Sequence, residues 1–310
     1  MQVILGANGI IGEELAKELR ANYTNDIKLV GRNPKKVHAE DILSTGDLLK
    51  YEDVHKALEN AEIAYITAGL PYRSEVWLQD WPKIMQNVIA GCIAHNCKLV
   101  YFDNTYAYPQ DSILQTESTH LKSKGKKGKA KRMTAEILSK AIKEKKLDAV
   151  ICRAPEFYGP GKTKGITNTL IFEKLKAYKK PKIFLKDTVV RTLIYTPDAS
   201  RAMALIGNTP DTYGQTWHLP CDDNRLTYKG ILAEISIQLD RTIPYKVLDS
   251  LVLKLASFFN KDIKETEELL PRYTIDNIFD SSKFKNRFPD FKVTSYQQGI
   301  RNIIDDYALK

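Results

Sequence analysis

Three glycines near the start of the chain limit its fold more than any other feature. Residues 6–12 read Gly-Ala-Asn-Gly-Ile-Ile-Gly, directly after the apolar run Gln2–Leu5. In the segment that follows, Ile11, Leu15 and Leu19 recur at intervals of four. Such intervals place side chains on one face of a helix, so the glycines occupy a strand-to-helix turn. A strand, a glycine turn of this spacing and a helix predict a Rossmann-type βαβ unit.

Each glycine of this turn has a predicted role in binding the pyrophosphate of a dinucleotide. Gly6 permits the tight turn, Gly9 lets the backbone approach the phosphates, and Gly12 lets the helix pack on the strand. Free amides at the start of the helix attract the negative charge. The predicted contacts are completed by Asn8, Ile10 and Ile11. An ordinary glycine-rich loop is the alternative interpretation.

The segment after the second predicted strand carries cations where many dinucleotide enzymes carry an acid. It reads Leu29-Val30-Gly31-Arg32-Asn33-Pro34-Lys35-Lys36. A carboxylate at this place binds the ribose 2′-hydroxyl of NAD, whereas a cation accommodates the 2′-phosphate of NADP. Arg32 can bind phosphate through two parallel hydrogen bonds, so the sequence favours NADP over NAD. A solvent-exposed basic turn is the alternative. Asp47 is a weaker candidate, as an acceptor for the adenine amine.

Short apolar runs alternate with helical patterns through the first half of the chain, as in βαβ units around a parallel sheet. The predicted strands are Gln2–Leu5, Ile27–Val30, Ile63–Thr67, Leu99–Phe102 and Ala149–Cys152, and the predicted helices include Ile11–Arg20 and Met85–His95. After Pro155 the alternation weakens, with a helix near Leu170–Tyr178, a strand at Ile183–Leu185 and a closing helix at Tyr296–Tyr307.

These patterns predict an α/β protein with a Rossmann-type doubly wound parallel sheet and a smaller C-terminal substrate lobe. We expect a dinucleotide-binding domain over residues 1–160, to which residues 190–220 return. Residues 161–310 would form mainly the smaller lobe.

Composition argues against several other classes of function. The net charge is +9, but seven basic residues between positions 122 and 132 supply most of it, and without them the net charge is +2. These seven are Lys122, Lys124, Lys126, Lys127, Lys129, Lys131 and Arg132. A local patch without interleaved aromatic residues argues against a nucleic-acid partner. The four cysteines and five histidines show no metal-ligand spacing, so we expect no metal site.

No apolar stretch approaches the roughly 20 residues that cross a bilayer. The first predicted strand begins at Gln2, which leaves no room for a signal peptide. We therefore expect a cytoplasmic protein with no membrane partner.

Further landmarks follow the glycine turn in a fixed order. They are Gly46-Asp47, Thr67-Ala68-Gly69, Asn87 within a helix, residues 153–161 (RAPEFYGPG) and residues 191–201 (RTLIYTPDASR). Together they resemble the extended short-chain dehydrogenase/reductase superfamily, in its NAD(P)-dependent sugar epimerase/dehydratase group, nearly end to end. The resemblance implies that Asp47 lies on the adenine side and that Thr67, Ala68 and Gly69 lie along the cofactor. By analogy with the family, the chain could pair as a homodimer through two helices of the core.

The catalytic residues of that family do not carry over to this chain. The family places a Ser or Thr four residues before a Tyr, and here those positions hold Asn104 and Tyr108. The family motif Y-x-x-x-K-x-x-x-E ends in a glutamate that Glu136 matches, which puts Gly128 at the tyrosine and Arg132 at the lysine. Arg132 could still hold the nicotinamide ribose or a substrate oxygen, but an arginine is a poor general acid.

Other residues could supply the missing proton donor. The candidates are Tyr106, Tyr108, Lys129, Lys131 and Tyr158. For each of them, a packing or solvated role is the alternative. The lysine-rich segment either binds an anionic substrate or forms a mobile, solvated loop.

The sequence therefore predicts an NADP-dependent oxidoreductase or epimerase-like enzyme that acts on a small polar carbonyl or sugar-type substrate, which could be anionic. Reduction ranks above epimerisation, because the nicotinamide supplies the difficult step and the protein supplies orientation and a proton. The alternative is a catalytically silent sensor that binds NADP(H) and signals through a partner. The sensor explains Asn104 and Gly128 more simply.

Overall fold

The computed structural model describes residues 1–111 and 114–309. In chain order its strands are β1 (Gln2–Leu5), β2 (Ile27–Gly31), β3 (Ile42–Thr45), β4 (Ile63–Ile66), β5 (Lys98–Asn104), β6 (Ala149–Ala154), β7 (Glu156–Tyr158), β8 (Lys182–Phe184), β9 (Val190–Arg191), β10 (Leu193–Tyr195), β11 (Thr216–His218), β12 (Leu226–Thr227) and β13 (Lys246–Leu248). Its α-helices are α1 (Ile10–Asn22), α2 (Tyr51–Ala57), α3 (Ser74–Ala94), α4 (Lys126–Lys143), α5 (Glu173–Lys176), α6 (Thr196–Gly207), α7 (Tyr228–Gln238), α8 (Ser250–Phe259), α9 (Lys261–Thr266), α10 (Ser282–Arg287) and α11 (Tyr296–Tyr307).

The chain divides into two compact units. The first comprises Met1–Ala107, Leu121–Ala154 and Ala199–Leu219. The second comprises Tyr108–His120, Pro155–Asp198 and Pro220–Lys310.

A seven-stranded parallel sheet forms the centre of the first unit. Its strand order is β11-β6-β5-β4-β1-β2-β3. β1 pairs with both β2 and β4, so that Leu5 lies opposite Val30 on one side and Ile66 on the other. The carboxyl ends of these strands therefore meet at one edge of the sheet. The order reverses direction beside β1, which is where ligands bind in open parallel sheets.

Both faces of this sheet carry helices. Leu5, Ile66 and Tyr101 belong to one buried cluster with side chains of α2, α3 and α4. Alternate strand residues point to the opposite face, where Tyr65 lies against Gly207 of α6. On that side the Ser200 hydroxyl of α6 donates to the Ile11 carbonyl of α1 at 3.0 Å. The predicted doubly wound parallel sheet is confirmed.

The sequence patterns locate most elements of the first unit but not all of their ends. The predicted helix Met85–His95 is only the second half of α3, which begins at Ser74 and continues through Pro82. The sequence does not predict β3, because its side chains are mostly exposed and show no apolar alternation.

The second unit is built from short strand pairs and helices. Its pairs are β7 with β10 and β8 with β13, both parallel, and β9 with β12, antiparallel. A π-helical turn at Asn168–Phe172 continues into α5, where a single helix is predicted. The closing helix α11 has the predicted bounds.

A search of the described residues for a helix with the length and apolar character to cross a bilayer finds none.

Candidate functional site

The turn between β1 and α1 contains two glycines that the fold itself requires. Gly6 has a φ of +96°, and a Cβ atom on it would lie 2.3 Å from the Cα atom of Ala68. A Cβ atom on Gly12 would lie 2.8 Å from the Cα atom of Ala7 and 2.9 Å from the hydroxyl of Thr67. The turn, the start of α1 and the residues after β4 are therefore packed against one another without room for side chains.

Gly9 differs from its two neighbours. Its φ is −78°, which any residue adopts, and a Cβ atom on it would lie no closer than 3.8 Å to any protein atom beyond its chain neighbours. Gly9 is also the N-cap of α1, and within the described chain no side chain caps this helix. The first amides of a helix have no partner inside it. A methyl group at Gly9 would thus fit in ordinary van der Waals contact, and the position borders amides that can donate to an anion.

The segment after β2, which contains the predicted cofactor residue Arg32, is tied to this turn. The side chain of Asn8 donates to the carbonyl of Asn33 at 2.5 Å and accepts from the amide of Lys35 at 3.1 Å, which ties the turn to the segment after β2. In that segment the side chain of Arg32 is exposed. Asp47 accepts from the amide of Leu49 at 3.0 Å.

The residues after β4 lie directly against the glycine turn. The Thr67 hydroxyl donates to the Gly6 carbonyl at 3.3 Å. A Cβ atom on Gly69 would meet nothing within 4 Å. The fold thus brings together the residues predicted to bind the cofactor from three separate parts of the sequence.

The two positions on which the family's tyrosine and lysine are predicted to fall, 128 and 132, have different surroundings in the structure. A Cβ atom on Gly128 would lie 2.4 Å from the Cβ atom of Ser123 and 2.6 Å from the carbonyl oxygen of Tyr106, so no tyrosine fits there. Arg132 is half-buried, and its Nε lies 3.8 Å from Glu136 Oε1. Asn104 ends β5, where its side-chain oxygen accepts from the amide of Tyr106 at 3.0 Å.

The lysine-rich segment is not one solvated loop. Its residues from Lys126 onward form the first turns of α4, in which Lys127 and Lys131 are buried and Lys129 is exposed. The alternative of a single solvated loop is therefore wrong for Lys127 and Lys131, because α4 turns these two residues inward.

Lys127 lies in a cluster of aromatic and hydroxyl side chains. Its Nζ is 3.1 Å from the hydroxyl oxygen of Ser74 and 4.2 Å from the centroid of the Tyr72 ring. The Tyr106 hydroxyl donates to the Tyr72 hydroxyl at 3.0 Å, and the Tyr106 ring packs on Trp77. Two phenols in hydrogen-bond contact thus lie beside a buried ammonium, and the Tyr106 backbone borders Gly128.

Lys131 lies in a second buried cluster of charges. Its Nζ is 2.9 Å from Asp103 Oδ1, and it also donates to the Tyr101 hydroxyl and lies 4.1 Å from the centroid of a Trp81 ring. Arg153 donates to Asp103 Oδ2 at 3.1 Å. Burial opposes ionisation of Asp103, but Lys131 and Arg153 hold the pKa of its carboxyl below the usual range.

Sequence reasoning missed Asp103. Its neighbour Asn104 drew attention because of the family pattern, whereas Asp103 faces the other way from the strand. The sequence signal that could have pointed to it is Arg153, because an arginine inside a buried strand needs an acidic partner. In the structure Asp103 lies opposite Arg153.

Tyr108 and Tyr158, the other two predicted catalytic residues, belong to the second unit and are buried there. The Tyr108 hydroxyl donates to the Thr116 carbonyl at 3.0 Å. Tyr158 packs against Gly299 and stacks on Tyr296 with ring centroids 5.5 Å apart, and burial raises its pKa. These contacts are typical of packing residues, and the catalytic role of both tyrosines stays a prediction.

In the second unit, side chains from two of the family motifs, residues 153–161 and 191–201, are in contact. Arg191 forms an ion pair with Glu156 at 3.1 Å. Glu156 also accepts hydrogen bonds from Thr167 at 2.8 Å and from Tyr228 at 3.0 Å, and the Arg191 guanidinium lies over the Tyr273 ring. Sequence reasoning did not single out Glu156.

Other sites for chemistry are few in the part of the chain that the structure describes. No group of three His, Cys, Asp or Glu side chains there could hold a metal ion. The four cysteines are buried free thiols. A cavity of about 450 Å³ beside Lys98, Asp148 and Tyr213 lies at the amino ends of β5 and β6, opposite the edge that carries the glycine turn.

Comparisons with known proteins agree on one family. The model of the NAD dependent epimerase/dehydratase family matches residues 2–219. The structure is similar to UDP-glucuronic acid 4-epimerase from Bacillus cereus in complex with NAD (TM-score 0.80, 15% identity, 99% of each chain covered). It is also similar to UDP-glucose 4-epimerase from Thermus thermophilus in complex with NAD (TM-score 0.78, 15% identity, 99% of each chain). A search of curated protein sequences gave no significant match.

Proposed function

Because this chain belongs to the NAD dependent epimerase/dehydratase family, we propose that its first unit binds a nicotinamide dinucleotide against the glycine turn, as an NADP-dependent reductase or epimerase-like enzyme. The observation that carries this proposal is the contrast among the three glycines. Gly6 and Gly12 are explained by protein neighbours, whereas a Cβ atom on Gly9 would have none closer than 3.8 Å. A glycine that the fold does not need is explained by a ligand whose phosphates approach the backbone there.

The preference for NADP rests on the residues after β2. Arg32 follows Gly31 directly, no carboxylate stands at this place, and the Arg32 side chain is exposed and can reach a 2′-phosphate. Two similar epimerases have structures with NAD, so this preference comes from the chain's own sequence and not from its relatives.

Tyr106 is the residue that we favour as proton donor. When bound, the dinucleotide would supply a hydride to the carbonyl carbon of a small polar or sugar-type substrate. The Tyr106 hydroxyl would give its proton to the carbonyl oxygen. Tyr72, which accepts a hydrogen bond from Tyr106 in the structure, would then donate its own proton back to Tyr106. Lys127 supplies a fixed positive charge beside these phenols.

A sensor without catalytic activity is the second candidate, and Gly128 favours it. Ser123 and the Tyr106 backbone leave no room for a side chain at Gly128, the position that the family pattern gives to its tyrosine, which supports a chain without that proton donor. The two candidates differ in turnover: the enzyme consumes NADPH with some member of a carbonyl panel, whereas the sensor binds NADPH tightly and consumes none.

Replacing Gly9 tests the binding proposal. In Gly9→Ala the added methyl meets no protein atom at close range, so we expect the melting temperature to change little. We expect NADPH to bind at least ~10-fold more weakly, a loss of roughly 1.4 kcal/mol, as measured by fluorescence titration. Gly12→Ala is the matched control, because its methyl would clash with Ala7 and should lower the melting temperature. Unchanged NADPH affinity in Gly9→Ala would contradict the proposal.

A further inference from the structure

The cavity at the amino ends of β5 and β6 is large enough to hold a small molecule. Its volume is about 450 Å³, and small-molecule sites occupy roughly 300–1,000 Å³. Its walls come from the start of β5, from the end of α4 with the loop that follows, and from the turn before β11. All of these segments belong to the first unit. The cavity is therefore a feature of one compact unit, at the sheet edge opposite the glycine turn.

Hydrogen bonds hold the walls of this cavity. At the end of α4, the Lys145 amide donates to the Ile142 carbonyl at 2.9 Å. In the turn before β11, the Tyr213 hydroxyl donates to the Gly207 carbonyl at 2.6 Å, which fixes the direction of the phenol ring. A site whose walls are already ordered loses less conformational entropy when a ligand binds.

Three charged side chains line the cavity, namely Lys98, Lys145 and Asp148. Over residues 1–111 and 114–309, no ion pair or hydrogen bond joins any of these side chains to another protein group. Glu144 precedes Lys145 in the chain, but it pairs with Lys146 at 2.6 Å. The lining thus carries two cations and one acid, and their combined field favours an anionic ligand.

Tyr213 gives the cavity an aromatic wall beside one of these cations. The Lys98 Nζ lies over the Tyr213 ring, 5.3 Å from its centroid. An anion bound to Lys98 would therefore bring the group that it carries close to this ring. Pro210 and Ile142 extend the apolar part of the lining. A planar ring can stack on such a wall, whereas a simple inorganic anion would contact the charges alone.

We propose that this cavity binds a small planar ring that bears an anionic group, with the anion on Lys98 and Lys145 and the ring against Tyr213. The Asp148 carboxylate would repel a second anionic group on the ligand. The cavity and the glycine turn lie at opposite edges of the sheet, so the proposal is independent of cofactor binding.

Isothermal titration calorimetry of the intact protein tests this proposal. Phenyl phosphate and benzoate are the probes, because each joins a planar ring to an anionic group. Both should bind at least ~5-fold more tightly than inorganic phosphate or phenol, which offer only one of the two features. The tighter probe identifies the anionic group that the site prefers. Saturating NADPH should leave both affinities unchanged, and displacement of the probes by NADPH would overturn the proposal.

Charge variants show whether the probes bind in this cavity. Lys98→Gln and Lys145→Gln should each weaken both probes about 5-fold, whereas Asp148→Asn should strengthen them because it removes a negative charge from the lining. Lys143→Gln is the matched control, because Lys143 is an exposed lysine at the same end of α4 but does not line the cavity. Circular dichroism checks that each variant is folded.

These variants test the cavity even if NADPH does not bind to the protein. Equal weakening by Lys143→Gln and Lys145→Gln would overturn the proposal, since the probes would then respond only to the net charge. So would inorganic phosphate that binds as tightly as phenyl phosphate, or the absence of saturable binding by either probe.

Discussion

The glycine turn and the start of α4 belong to the same unit, but they differ in how closely their sequences match the family's motifs. At residues 6–12 the glycines follow the family pattern, and no protein atom requires position 9 to be glycine. At the start of α4 the family pattern falls on Gly128 and Arg132 instead of a tyrosine and a lysine, and Ser123 lies against Gly128. The sequence therefore keeps the predicted cofactor motif more closely than the predicted catalytic motif.

The start of α4 contains two buried cations. Lys127 and Lys131 lie one helical turn apart, and each has its own acceptor and an aromatic ring beside its ammonium group. The acceptor of Lys131 is a carboxylate, and that carboxylate also binds Arg153.

Removal of the Asp103 carboxylate should have the largest effect. In Asp103→Ala, Lys131 and Arg153 lose their shared partner inside the protein, so we expect the free energy of unfolding to fall by about 3–5 kcal/mol. Urea denaturation measures this loss. Glu136→Gln is the matched control, because Glu136 is an exposed residue that pairs with Arg132 at 3.8 Å and should contribute less than about 1 kcal/mol.

The same carboxylate predicts a dependence of stability on pH. The pKa of Asp103 is lower in the folded chain than in the unfolded chain, so its contribution is fully present above the unfolded value and is lost as the pH falls through the folded value. Asp103→Ala should therefore lose less stability than the wild type upon acidification. If the unfolding free energies of the two proteins fell in parallel with pH, the Asp103 carboxylate would not be the cause of the pH dependence.

Restoring the family tyrosine should have the next largest effect, and it should be unfavourable. In Gly128→Tyr the new Cβ atom would clash with Ser123 and with the Tyr106 backbone, so we expect a loss of about 1–3 kcal/mol in unfolding free energy. Turnover should not rise, even with Arg132→Lys added. Ser123→Gly should relieve part of the loss, because it removes one of the two clashing groups. A stable Gly128→Tyr/Arg132→Lys variant with high turnover would show that the start of α4 still accepts the family's catalytic pair.

The sequence predicts these two regions unequally well for a physical reason. The glycine turn is local: a strand, three glycines and a helix within a short segment determine its geometry, and the predicted fold and family are confirmed. The cluster of Asp103, Lys131 and Arg153 depends on the register of β5 and β6 and on the rotation of α4. Neither the register nor the rotation can be read from the spacing of residues in the sequence. The burial of Lys127 and Lys131 is likewise not predictable from the sequence, because they belong to a segment of seven basic residues with similar surroundings.

Charge reversal at Arg32 should give the smallest change in free energy, and it tests the predicted preference for NADP directly. Arg32→Asp places a carboxylate where a 2′-phosphate would lie, so NADPH should bind about 10-fold more weakly while NADH binds as well or better, a difference of roughly 1.4 kcal/mol. Fluorescence titration with both nucleotides measures it. Lys35→Asp is the matched control, since it changes the charge of the same segment by the same amount. If both variants weaken NADPH equally, the segment acts through its total charge. If the parent binds NADH as well as NADPH, the preference for NADP is wrong, although the glycine turn could still hold the pyrophosphate.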